Sequence, residues 1–157
     1  MFKTIFYPGS LSNYSDITLL LMRIGVGALM LSHGAGKFMK LFGDEPVKFS
    51  DPLGVGATAS LALAVFAEVF CSVFLIFGFA TRLSVVPLII TMLVAVLLIH
   101  AYDPFPKKEL PLLYIIIYLA LAIFGAGKFS VDNQIFKKLS MRKSTENFPA
   151  PKIPIER

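Results

Sequence analysis

Cysteine is almost absent: Cys71 is the single one in 157 residues, and it lies inside an apolar run. One thiol excludes an internal disulfide, a CxxC redox pair, a cysteine-built zinc site and the cysteine sets that hold iron–sulfur clusters. Charge is scarce too, at 16% of residues against about a quarter in an ordinary soluble domain. The deficit is concentrated in four apolar blocks, which is the signature of membrane-spanning helices. Histidine occurs twice, so haem or a metal is not an expected cofactor, and no glycine fingerprint for a flavin or dinucleotide is visible. The length leaves no room for a separate soluble catalytic module. The net charge is +5, but no basic patch carries interleaved base-stacking aromatics, so nucleic acid is not an expected partner. In a membrane chain basic residues set orientation and meet anionic head groups. The first apolar run starts only at Ile17, a single lysine precedes it, and no small-residue cleavage site comes after it. That run is expected to be retained rather than removed as a signal peptide.

What is present is four spans, at about 17–32, 56–80, 83–101 and 110–126, each near the roughly 20 residues that a hydrocarbon core of about 30 Å requires. The predicted fold is all-α: an integral membrane four-helix bundle over 17–132, after an N-terminal segment 1–16. Residues 133–157 form a basic interfacial segment and a proline-rich tail. Ser15 or Asp16 reads as the N-cap of the first span. The short turn Ala80–Arg82 forces an antiparallel hairpin, and Pro87 and Pro111 fall in early turns of their helices, where a missing N–H costs least. "FSVDNQIFKKLSMRK" predicts a short interfacial helix with Ile135, Phe136 and Leu139 on one side. Lys3, Arg82, Lys128, Lys137, Lys138, Arg142 and Lys143 fall on the side of both termini and outnumber Lys37, Lys40, Lys48, Lys107 and Lys108 opposite. That imbalance places both termini in the cytoplasm. "GAGKF" occurs at Gly34–Phe38 and again at Gly125–Phe129. Each copy is expected to end a helix, with glycine releasing the C-terminus and lysine meeting its dipole. Neither is a P-loop, because phenylalanine comes after the lysine where magnesium needs a hydroxyl.

An arginine or carboxylate at bilayer depth costs at least about 2.5–3.5 kcal/mol and should face a partner or a cavity. Arg23 in the first span and Glu68 in the second meet that description and are expected to neutralise each other. Ser60, Ala64, Glu68 and Ser72 make a small-polar ridge, matched on the fourth span by Tyr114, Tyr118, Ala122 and Gly125, and the two ridges are expected to face each other. The network Arg23, Glu68, Tyr114 and Tyr118 either glues the bundle or lines a pocket for a quinone head group, proton or small solute. With both termini inside, the outer face collects His33, Lys37, His100 and Glu109, with Asp103. This set could exchange protons or bind an anion, or its histidines could simply cap helix ends. On the inner face an Arg82–Asp132 pair is expected to tie the second turn to the C-terminal segment.

These residues carry a resemblance. An arginine in the first span followed by "SHGAGKF", the mid-span glutamate, "GFATRLSVV" opening the third span, a histidine ending it, "KELPLLYI" and "GAGKFSVD" together resemble the DoxX family of small four-helix membrane proteins, over about Leu19 to Asp132. The closing glycine-proline-glycine usual in that family is glycine-alanine-glycine here, at Gly125–Gly127. The resemblance implies a four-span bundle in the cytoplasmic membrane. For some relatives it implies the membrane subunit of a thiosulfate:quinone oxidoreductase; it brings no agreed catalytic residues. The expectation is therefore a membrane subunit of a quinone-linked oxidoreductase complex, with other membrane or redox subunits, or a second copy, as partners. The alternatives are a non-catalytic scaffold or assembly partner, and a small proton-coupled carrier.

Overall fold

A computed structural model describes residues 13–147. Lys3, the first part of the N-terminal segment and nearly all of the proline-rich tail lie outside the described residues. Within them all regular structure is helical: α1 Asn13–Leu41, α2 Ala57–Phe77, α3 Thr81–Ile99, α4 Phe105–Phe124 and α5 Val131–Asn147. Two of these helices widen into a π-turn, α2 over Phe66–Cys71 and α3 over Ala95–Ile99. α1 packs on α2, α3 on α4, and α4 returns to α1. α3 lies against the π-turn and the later part of α2, whereas the first part of α2, Ala57–Val65, leans on α1. Leu19, Met30, Leu75, Val85, Leu88, Tyr118 and Leu121 share the core. The chain has two ends: one holds α5 and the α2–α3 turn, the other the connectors 42–56 and 100–104.

The outer surface is apolar. Leu21 and Leu29 on α1, Phe66 and Phe77 on α2, Leu83 and Leu97 on α3, and Leu113, Ile116 and Ile123 on α4 are all exposed. A soluble protein rarely leaves so continuous an apolar skin in water; hydrocarbon is the solvent that fits it. α1, α2 and α3 are each long and apolar enough to cross a membrane. α4 carries Lys107, Lys108 and Glu109 in its first turns, which shortens its apolar stretch. It starts earlier than expected because Pro104 is extended and Pro106 occupies the first turn, where proline is pre-set for a helix.

α1 corrects the predicted 17–32 span. It is helical from Asn13, the first described residue, through the first "GAGKF" to Leu41, so Asp16 is not its cap. The glycines serve packing instead. A Cβ on Gly27 would come within 2.6 Å of Ile76 Cγ1, and one on Gly34 within 2.8 Å of Val69 Cγ2 and 3.0 Å of Glu68. Small residues seven apart let α1 lie almost backbone to backbone on α2. The second "GAGKF" does end its helix: α4 stops at Phe124, and Gly125 and Gly127 take φ of 81° and 74°, a region open to glycine. The ridge Ser60, Ala64, Glu68 and Ser72 is buried as expected. Ser72 and Glu68 of this ridge lie against α1 at Gly27 and Gly34, while Ser60, Ala64 and Glu68 share a cavity with Tyr114 of α4.

Candidate functional site: a cavity around Lys37 and Glu68

At the connector end a cavity of about 750 Å³ lies between the helices. Its walls are mostly apolar and aromatic, including Met30, Phe49, Leu63, Phe66, Ile90, Leu110 and Pro111. The polar groups on it are Ser60, Glu68, His33, Lys37, Thr91, His100, Lys107 and Tyr114. Glu68 is 2% exposed and forms an ion pair with the Lys37 ammonium, which donates to Oε1. Oε2 is buried and accepts no hydrogen bond from any described residue. Lys37 also lies 5.9 Å from the centre of the Phe49 ring, within reach of a cation–π attraction.

The π-turns bear directly on this cavity. Phe66–Cys71 carries Glu68, and Ala95–Ile99 ends at His100. A π-turn adds one residue to a helical turn and rotates the residues beyond it; such turns recur at functional sites. His33 meets the Tyr114 ring edge-on at 6.3 Å, and Tyr114 stacks on Tyr118 at 5.8 Å. His100 Nδ1 is 2.8 Å from Asp103 Oδ2, and the Lys107 ammonium donates to Asp103 Oδ1 over 3.3 Å. The His100 hydrogen bond, then Lys107, holds the Asp103 carboxyl below the usual range. His33, Lys37 and His100 of the expected outer-face cluster therefore gather on the cavity with Glu68 and Tyr114, and Asp103's partner Lys107 joins them. Glu109 is exposed and does not line it. Among the described residues no three His, Cys, Asp or Glu side chains converge as metal ligands.

Arg23 is elsewhere, and its expected pairing with Glu68 is corrected. The guanidinium, fully buried, donates to the Phe129 carbonyl over 2.5 Å and to the Leu75 carbonyl over 3.5 Å. It presses on Gly78 so closely that a Cβ there would sit 1.9 Å from Nη1. Leu75 is seven residues beyond Glu68, about 10 Å along the helix at 1.5 Å per residue, too far for the guanidinium to serve both. The second member of the expected inner pair is also redirected. Asp132 accepts from the backbone N–H groups of Ala80 (2.6 Å) and Thr81 (2.9 Å), capping α3 with a negative charge where its dipole is positive. Arg82 donates to the Ile123 carbonyl. Asp132 still ties the α2–α3 turn to the C-terminal segment, through backbone amides instead of a guanidinium. Asp16, not singled out from the sequence for this role, accepts the Lys128 N–H over 2.9 Å and pairs with the Lys128 ammonium at 3.0 Å. An acid at the margin of an apolar run was the signal available. Tyr114 lines the cavity with Glu68 and stacks on the buried Tyr118, so of the expected four-residue network Arg23 is the member directed elsewhere.

The DoxX family model matches residues 18–101. A Haemophilus influenzae protein of uncharacterized function is 30% identical over 136 residues, covering 82% of this chain and 98% of its own length. A second from the same organism is 31% identical over 85% of this chain and 93% of its own. A Bacillus subtilis protein named "Putative oxidoreductase CatD" is 27% identical over 78% of this chain and 90% of its own. No solved structure gives a significant match. With the family model covering more than half of the chain, the protein belongs to the DoxX family.

Proposed function

We propose that the chain is a membrane subunit of a quinone-linked oxidoreductase complex, and that the Lys37–Glu68 cavity is where it meets a quinone. The observation that carries this is a buried carboxylate on a cavity of ligand size, with one oxygen paired and the other without a hydrogen-bond partner among the described residues. Ligand pockets run to about 300–1,000 Å³, with apolar walls and a few placed polar groups. The residues fit a quinone and its reduced form: Phe49, Phe66 and Tyr114 offer ring faces and edges, the Lys37 ammonium is a donor for a quinone oxygen, and Glu68 is an acceptor for a hydroquinone hydroxyl. A bound quinone supplies two-electron, two-proton exchange with a partner protein. The chain's own residues hold the head group, exclude water from it, and keep the Glu68 carboxylate beside it. The name of the Bacillus subtilis relative supports an oxidoreductase context.

In the same proposal α1–α4 form a four-span bundle in the cytoplasmic membrane, with the α5 end in the cytoplasm. The apolar faces of all four helices support the bundle. The exposed Lys137 and Lys138 on α5 support the orientation. The residues around Arg23 and Asp132 serve the scaffold, because their polar groups are directed at backbone atoms. Purification of the full chain in native lipid nanodiscs tests the function. Quinone and at least one redox-active subunit are expected to co-purify. A lone protein without quinone, whose loss leaves respiration unchanged, rejects the proposal in favour of a scaffold.

A further inference from the structure

The cavity reaches the side of the molecule. Leu63 and Phe66 of α2 and Ile90 of α3 line it, and the same three residues are about half exposed on the apolar outer surface. The cause is visible in the packing. α3 holds to the π-turn and the later part of α2, while Ala57–Val65 leans away onto α1. α2 and α3 thus fork toward the connector end, with π-turns in both helices around the fork. Leu63, Phe66 and Ile90 make the mouth of the fork hydrocarbon, and its floor is Glu68.

The floor restricts what can bind. Glu68 Oε1 is taken by Lys37, while buried Oε2 accepts nothing from the described residues. A head group that donates a hydrogen bond satisfies Oε2; one that only accepts leaves a buried charged oxygen unpaired, which is costly. Lys37 already balances the charge, so a cationic head adds a second positive group where one suffices. Phe49, Phe66 and the His33–Tyr114 edge contact favour a planar aromatic head. Resting on the proposed function of this cavity, we infer that it takes its ligand sideways from the membrane through the α2–α3 fork, and that it prefers a phenolic, hydroquinone-type head that donates to Glu68 over the oxidised quinone. The apolar tail of that ligand lies in the fork against Leu63 and Ile90.

The test uses the full chain in lipid nanodiscs under anaerobic conditions. Ligand retained above empty nanodiscs is measured for decylubiquinol, decylubiquinone and the tail-less duroquinol. Decylubiquinol is expected to bind at least about tenfold tighter than decylubiquinone, the ratio that one charge-assisted hydrogen bond supplies. Glu68→Gln is expected to bring the two within about threefold. Equal binding of both forms by the unaltered protein overturns the head-group preference. Ile90→Trp, narrowing the fork, is expected to weaken decylubiquinol binding severalfold and leave duroquinol unchanged. Leu63→Trp on the facing wall repeats that test should the first variant fail to fold, as judged by its melting in the same nanodiscs. A folded variant that weakens both ligands equally, or neither, overturns the lateral route. If none of the three ligands binds the unaltered protein, the proposed function of the cavity fails with it, an outcome distinct from the other two.

Discussion

Lys37 pairs with Glu68 because Gly34, one turn before the lysine, brings α1 against the π-turn that carries the glutamate. A side-chain carbon on Gly34 would stand 3.0 Å from Glu68 Cβ. The Lys37 side chain, 31% exposed, reaches from the cavity margin to a carboxylate side chain that is almost fully buried. One small residue therefore sets both the helix contact and the ion pair.

Breaking that pair from the lysine side strands a buried anion. Lys37→Met is expected to destabilise the chain by about 1–3 kcal/mol, less than the roughly 3–5 kcal/mol for a fully buried pair because the lysine is partly exposed. Glu68→Gln leaves no bare ion and should cost less, and the double variant should recover part of the Lys37→Met loss. Thermal denaturation of the three proteins in one detergent measures it. Strictly additive losses would mean that the two residues are not coupled.

Gly34→Ala should lower stability by about 1–3 kcal/mol, the usual cost of overpacking, and should shift the Lys37–Glu68 pair with it. Gly25→Ala is the control. It has nothing within 4 Å of its added carbon, and exchange of a helix-interior glycine there should be neutral or stabilising by about 0.5–1 kcal/mol. A comparable loss at both positions would contradict the close approach.

At the opposite end, Asp132→Asn removes one of the two acceptors for the Ala80 and Thr81 N–H groups and the negative charge that acts on the Arg23 guanidinium. The expected cost is about 2–4 kcal/mol, combining a lost helix cap with an unpaired buried N–H and a guanidinium left without its balance. Protease cleavage in the α2–α3 turn should rise, since Ala80, held at φ 46°, has its N–H fixed by Asp132. An unchanged melting temperature would show that Arg23 needs no counter-charge.

Two connector carboxyls give a pH dependence. The His100 hydrogen bond and Lys107 lower Asp103; Ser60 and then the Gly56 N–H lower Asp51. A folded pKa below the unfolded value of about 3.9 contributes stability that is fully present above that value and lost as pH falls through the folded pKa. Both connectors should keep their hydrogen-exchange protection from neutrality down to about pH 4.5 and lose it below the ordinary carboxylate range. Asp103→Asn should abolish the effect at residues 100–107 and leave it at 51–60. Loss already near pH 6 would assign the transition to other groups.

The amino-acid sequence by itself determined the solvent and the inventory. The apolar blocks made the helices, Ala80–Arg82 made the α2–α3 hairpin, and the cost of charge in hydrocarbon drove Arg23 and Glu68 inward. It did not determine who meets whom. Depth counted from the ends of a span needs the true ends, and α1 runs nine residues past the expected Ser32 to Leu41. That extension lifts Lys37 to Glu68 and leaves Arg23 with the α2–α3 turn. The two "GAGKF" copies make the same point: Gly34 stays helical because α2 fills the space beside it, while Gly125 and Gly127 turn where Asp16 receives the Lys128 N–H. Local sequence sets how costly each backbone state is, within about 1 kcal/mol for glycine. Contacts between helices are worth more than that, and only the tertiary structure supplies them.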